Sequence, residues 1–201
     1  MNKNAKRGFI ILSFIIFILM ITFVYKEYLP LRQFKNDNDI KNLEYHANSI
    51  EEVNKLKEVG KPMIIVFGAD YCPTCVNYEP YIKELYLKYG DDIVIRYIDT
   101  VEHKDVREQY NIELIPSTIF YDKNGKAFLP NDEIEVYEPE ETVTERKYIS
   151  ENIKPVNGEE LNKNKYFEFG IENQTNEIVY SKYVGLIDMV QLEKIVDELL
   201  K

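Results

Sequence analysis

The sequence predicts an α/β domain, a central sheet flanked by helices, placed behind an apolar N-terminal segment. Three observations point there. Strand-length runs such as Met63–Phe67 and Asp92–Asp99 alternate with stretches of helical period. Cys72-Pro73-Thr74-Cys75 stands where one such run gives way to a helical stretch, and it holds the only two cysteines of the 201 residues. Residues 8–25 are almost unbroken apolar.

That apolar segment predicts a transmembrane helix. Lys3, Lys6 and Arg7 precede it, and it has no polar face of the kind a surface helix keeps. As a helix its 18 residues span ~27 Å, close to the hydrocarbon thickness of a bilayer. A cleaved signal peptide has a shorter apolar core and a small-x-small site after it. No such site follows Met20–Tyr25, so residues 1–25 read as an uncleaved signal anchor. Positive charge before the span, with Lys26 and Glu27 cancelling after it, orients the N-terminus to the cytoplasm and the rest of the chain outside. Residues 26–42, with Pro30 and Lys35-Asn36-Asp37-Asn38-Asp39, read as a linker that spans ~22 Å as a flexible coil.

Residues 43–201 then form the folded domain, long enough to bury one core. Leu43–Ala47 is a short strand. Ser49 followed by Glu52 has capping-box spacing, and a helix runs from there to Gly60. Met63–Phe67 suits a strand buried on both faces. The next helix starts at Cys72, with Pro73 in its first turn and Pro80 as a kink, and carries its apolar stripe to Tyr89. Asp92–Asp99 is a strand, Lys104–Tyr110 a short helix and Thr118–Tyr121 a strand closed by a turn at Asp122–Lys126. Glu177–Val184 is a strand, and Met189–Leu200 an amphipathic helix.

The cysteine pair carries the chemistry. A helix N-terminus has partial positive charge and free amide donors, and both stabilise a thiolate. A thiolate formed near neutral pH is the nucleophile of thiol–disulfide exchange, and a second cysteine one turn on can close an internal disulfide. A structural zinc site needs about four ligands, but no second C-x-x-C is present and His46 and His103 lie far apart in sequence. A purely structural disulfide across two residues closes a loop too small to stabilise the fold much.

The order β-α-β-α-β-α-β-β-α, with the cysteines after the second strand, resembles the thioredoxin family over residues 43–129 and 175–201. The residues that carry the resemblance are Phe67-Gly68-Ala69-Asp70-Tyr71-Cys72-Pro73-Thr74-Cys75, the kink at Pro80, Ile115-Pro116-Ser117-Thr118 and Val184-Gly185. The resemblance implies a thioredoxin-like mixed sheet and an exposed attacking thiolate at Cys72. It implies a buried resolving thiol at Cys75 and a cis-proline at Pro116 that turns Ile115 toward the cysteines. Tyr71, Pro73, Thr74, Ile115 and Pro116 would form the client-binding rim. No cofactor or metal is implied. Two residues depart from the family's pattern. Tyr71 stands where thioredoxins usually have Trp, and Val66 where many have a buried acid.

The stretch at about 130–173 has no counterpart in a minimal thioredoxin domain and lies between its last two strands. From Asn131 to Glu172 it holds 12 acids against 5 bases, a net of −7. It predicts strands at Ile134–Tyr137 and Tyr166–Ile171, a helix around Thr142–Ile153, and overall a solvated loop or small appended hairpin. The chain's net charge of −10 speaks against nucleic acid as a partner. The expected function is thiol–disulfide exchange on extracytoplasmic proteins, with reduction favoured, and a reductase implies a membrane electron carrier to re-reduce it. The alternative is a non-catalytic binding module whose acidic insertion meets a partner.

Overall fold

Ser49 opens the first described helix as its sequence spacing demands. Its hydroxyl accepts from the Glu52 amide at 3.2 Å, and the Glu52 carboxylate reaches back to the Asn48 amide at 3.0 Å. The computed structural model describes residues 46–131, 133–134 and 150–201, all within one compact unit, Glu44–Lys201. The expected anchor at 8–25, the linker at 26–42, residues 43–45 of the first strand, the strand positions 135–137 and the helix positions 142–149 lie outside the described residues. Among the described residues no helix is long and apolar enough to cross a membrane.

The elements are α1 (Ile50–Lys57), β1 (Met63–Gly68), α2 (Pro73–Tyr89), β2 (Val94–Asp99), α3 (Lys104–Gln109) and β3 (Ser117–Tyr121). They continue with β4 (Ile153–Asn157), a 3-10 turn (Gly158–Leu161), β5 (Glu168–Glu172), β6 (Ile178–Val184) and α4 (Met189–Leu199). The six strands form one mixed sheet in the order β2-β1-β3-β6-β5-β4. Only β1 and β2 are parallel, joined by α2 as the crossover such a pair requires. Of the first expected strand, the described residues carry a parallel bridge from His46 to Tyr97, with the Ala47 amide donating to the Tyr97 carbonyl at 3.1 Å.

Every residue of β1 and β3 is buried; β1 is a continuous apolar run, as a central strand requires, while β3 also buries Ser117 and Thr118. Met63, Ile65 and Phe67 face a core with Val53, Val106, Tyr110, Ile119 and Tyr121. Alternation along β1 sends Ile64 and Val66 to the opposite face. The buried residues of α2 are Cys75, Tyr78, Ile82 and Leu85, and those of α4 are Leu192, Ile195, Val196 and Leu199. Lys88 of α2 pairs with Glu193 of α4 at 2.6 Å.

The acidic stretch is the main departure from expectation. Its described part is neither a solvated loop nor an appended hairpin, because β4 and β5 continue the central sheet beyond β6. The expected strand at Tyr166–Ile171 begins two residues later, and the expected helix does not reach Ile153, which opens β4. The cause is burial. Phe167 and Phe169 are inside, and Phe167 packs its ring 5.9 Å from both Phe120 and Tyr183. Gly170 lies under the Tyr180 ring, where a Cβ would sit 2.3 Å from a ring carbon. Polar contacts fasten the same region. Lys182, 3% exposed, holds Glu168 at 2.6 Å and donates to the Asn111 carbonyl at 2.7 Å. The Asn111 side chain accepts from the Ser150 amide and donates to the Ile153 carbonyl. Pro155, which has no N–H, lies in the outermost strand, where such a residue is tolerated.

Candidate active site

The end of β1 delivers Cys72 to the start of α2. Cys72 is the N-cap residue, so the helix begins at Pro73, which needs no amide partner in the first turn. The Cys72 Sγ accepts from the Cys75 amide at 3.2 Å, one of the free donors of that helix terminus. Cys72 and Cys75 are joined as a disulfide, with Cα atoms 5.2 Å apart. Cys72 is 8% exposed and Cys75 3%, so Cys72 is the more accessible residue of the pair, yet it is buried where an exposed thiolate was expected. The reason is the loop opposite. The Ile115 carbonyl oxygen lies 3.7 Å from the Cys72 sulfur and covers part of it.

The Ile115–Pro116 bond is cis. The loop is held at both ends, for Ser117 Oγ donates to the Leu114 carbonyl at 2.7 Å and the Gly185 amide donates to the Pro116 carbonyl at 2.8 Å. The structure therefore brings Cys72, Cys75 and Ile115 together, with Pro116 buried in the loop that carries Ile115. Pro73 and Thr74 are exposed on the first turn, and Tyr71 stands 75% exposed beside the disulfide. Among the described residues no group of three or more His, Cys, Asp or Glu could hold a metal ion.

Sequence reasoning missed the polar groups behind the disulfide. Val66 is buried, as expected of an apolar residue in the acid's place, but its register partners are Tyr97 on one side and Thr118 on the other. Tyr78 shares the buried face of α2 with Cys75 and meets Thr118, hydroxyl to hydroxyl, at 3.2 Å. Burial pushes the Tyr78 phenol well above its ordinary range, and the Thr118 bond partly offsets this. The spacing of Tyr78, three residues after Cys75, was the available signal.

A family model described as Thioredoxin matches residues 45–145, just over half of the chain. The chain belongs to the thioredoxin family. Thioredoxin Y, chloroplastic, from Oryza sativa subsp. japonica is 35% identical over 71 residues, which is 35% of this chain and 42% of that protein. Thioredoxin M-type, chloroplastic, from Spinacia oleracea is 28% identical over 127 residues, 59% of this chain and 68% of its own length. The chain thus spans less than half of the rice thioredoxin Y, and 62% of a thioredoxin H-type from Oryza sativa subsp. indica. Among solved structures, chloroplastic thioredoxin z aligns with 77% of this chain and 93% of its own at 12% identity and a TM-score of 0.46.

Proposed function

We propose that this protein is a membrane-tethered thiol–disulfide oxidoreductase that reduces disulfides in proteins outside the cytoplasm. The observation that carries the reading is the Cys72–Cys75 pair at the start of α2, with the Ile115 carbonyl 3.7 Å from the Cys72 sulfur. In the reduced chain the Cys72 thiolate attacks one sulfur of a client disulfide, and the electron pair of the broken bond leaves on the other. A mixed disulfide remains. Cys75 then loses its proton and attacks the Cys72 sulfur, which releases the second client thiol and restores the internal disulfide. The client gains two electrons and two protons, so a dithiol donor in the membrane must return them to Cys72 and Cys75. No cofactor enters either step. The exposed Tyr71 ring, Pro73, Thr74 and the Ile115–Pro116 backbone offer the client an apolar rim and a strand-like edge. The apolar run at residues 8–25 supports the tether, with the redox domain outside.

The deciding test is reduction of insulin disulfides by the full chain in detergent with a dithiol donor. Turnover that disappears in Cys72→Ser is expected, and its absence in the wild-type chain overturns the reading. A Cys72–Cys75 reduction potential near about −270 mV is expected of a reductase, whereas one near about −120 mV would reverse the direction. For the tether, the full-length chain stays with the membrane fraction and is cut by protease added outside the cell. Recovery of a shortened soluble form would remove that part.

A further inference from the structure

The loop from Asn111 to Pro116 is strung between two points of attachment on β6 and the residues just after it. Lys182 donates to the Asn111 carbonyl at 2.7 Å and to the Tyr110 carbonyl at 3.4 Å, and the Gly185 amide donates to the Pro116 carbonyl at 2.8 Å. Between these points Arg107 Nε donates to the Ile112 carbonyl at 2.9 Å, and Ser117 Oγ to the Leu114 carbonyl at 2.7 Å. The same loop carries the Ile115 carbonyl that stands 3.7 Å from the Cys72 sulfur. The place of that carbonyl therefore depends on how both ends of the loop are held.

The Asn111 end is held from the acidic stretch. Asn111 is 2% exposed and has φ 47°, a left-handed conformation that Asn adopts more readily than most side chains. Its Oδ1 accepts from the Ser150 amide at 2.8 Å. Its Nδ2 donates to the Ile153 carbonyl at 3.2 Å and to the Tyr180 hydroxyl at 3.3 Å. Ser150 and Ile153 lie where β4 begins, and Glu168 of β5 sets its carboxylate 2.6 Å from the Lys182 ammonium. Bonds from a buried cation to carbonyls are among the stronger ones, and a satisfied buried network fixes the segments it joins. We propose that Asn111 is a positioning residue through which the inserted strands β4 and β5 hold the Ile115–Pro116 loop in the place a protein client needs. This deepens the proposed function and rests on it, because the loop matters only to a client that lies along it. The inserted strands thereby set client affinity from behind the loop, through Asn111 and Lys182.

The reduced full chain in detergent is assayed against two disulfides. Insulin must lie along the loop to be reduced, whereas 5,5′-dithiobis(2-nitrobenzoate) needs only to reach the Cys72 sulfur. The readout is kcat/KM for insulin divided by the rate constant for the small reagent. Asn111→Gly keeps the left-handed backbone and the carbonyl that Lys182 holds, and it removes the side-chain bonds to Ser150, Ile153 and Tyr180. It should raise KM for insulin about two- to thirtyfold with kcat little changed, and lower the ratio by the same factor. A merely structural role lowers the urea midpoint and scales both rates by the folded fraction, which leaves the ratio unmoved. Ser150→Pro takes the amide donor away from the inserted side and leaves Asn111 in place, and it should lower the ratio at least about twofold. An unchanged ratio in folded Asn111→Gly overturns the inference. If that variant fails to fold, an unchanged ratio in Ser150→Pro overturns it instead. If the wild-type chain reacts with the small reagent but leaves insulin oxidised, the proposed function fails and the inference falls with it.

Discussion

Removing the charge of Glu168 tests whether the acidic stretch is part of the folded core. Lys182 is 3% exposed and Glu168 12%, with 2.6 Å between the ammonium and the carboxylate. Glu168→Gln keeps the shape of the side chain but takes the carboxylate from the buried Lys182 cation, which keeps the carbonyls of Asn111 at 2.7 Å and Tyr110 at 3.4 Å and the Tyr180 ring 5.6 Å away. Breaking such a pair from one side costs about 3–5 kcal/mol, because the remaining charge stays out of water. For a domain of this size that is a fall in Tm of roughly 6–20 °C. Adding Lys182→Met removes the stranded charge and should recover at least about 2 kcal/mol. The assay is urea unfolding of the full chain in detergent, followed by far-UV circular dichroism at low and high salt. Burial predicts little salt dependence, in contrast to a surface pair. A loss below about 0.5 kcal/mol, or one that vanishes in salt, would show that the pair behaves as if exposed and refute the argument.

Three further outcomes follow from the same contacts. Phe169→Ala, at a fully buried position of β5, should cost about 3–5 kcal/mol in the same unfolding assay, and a change under about 1 kcal/mol would place β5 outside the core. Cys75→Ser should accumulate mixed disulfides with client proteins on non-reducing gels and Cys72→Ser should not; the reverse pattern would exchange the two roles. Burial lowers Lys57 from 10.5 to about 8 even though the Tyr121 ring, 4.1 Å away, favours the cation. The folded chain therefore binds fewer protons than the unfolded chain above about pH 8, and stability should rise from there toward pH 10. Above that point the raised phenols of Tyr110, Tyr121 and Tyr97 oppose the trend, because the folded chain then holds more protons than the unfolded chain. Lys57→Met should flatten the rise in a pH series of urea midpoints, and an unchanged slope would refute its origin.

The residues that were legible in the sequence are those whose structure is set locally. Ser49 and Glu52 cap α1, Pro73 and Cys72 start α2, and Asp122 accepts from the amides of Asn124 and Lys126 in the turn after β3. The cysteine pair and the Ile115–Pro116 loop were legible through resemblance. β4 was not, because Ile153–Asn157 has a proline at its centre and is a strand only through its pairing with β5. Tyr97 was equally hidden. Its place beside Val66 depends on the parallel register of β1 and β2, and its room on the missing side chain of Gly68.

The outermost strand has a consequence for association between copies of the chain. A sheet with bare margins invites a second copy to zip onto it. Here one margin is occupied, where Ala47 bonds to the Tyr97 carbonyl of β2. On the other, Pro155 withholds a donor and Lys154 adds a charge. Both ends of the ladder are thus poor templates for stacking. The margins and the active-site loop are treated in opposite ways: Lys154 and Pro155 turn a neighbouring strand away, whereas the Ile115 carbonyl is turned toward the Cys72 sulfur, 3.7 Å away.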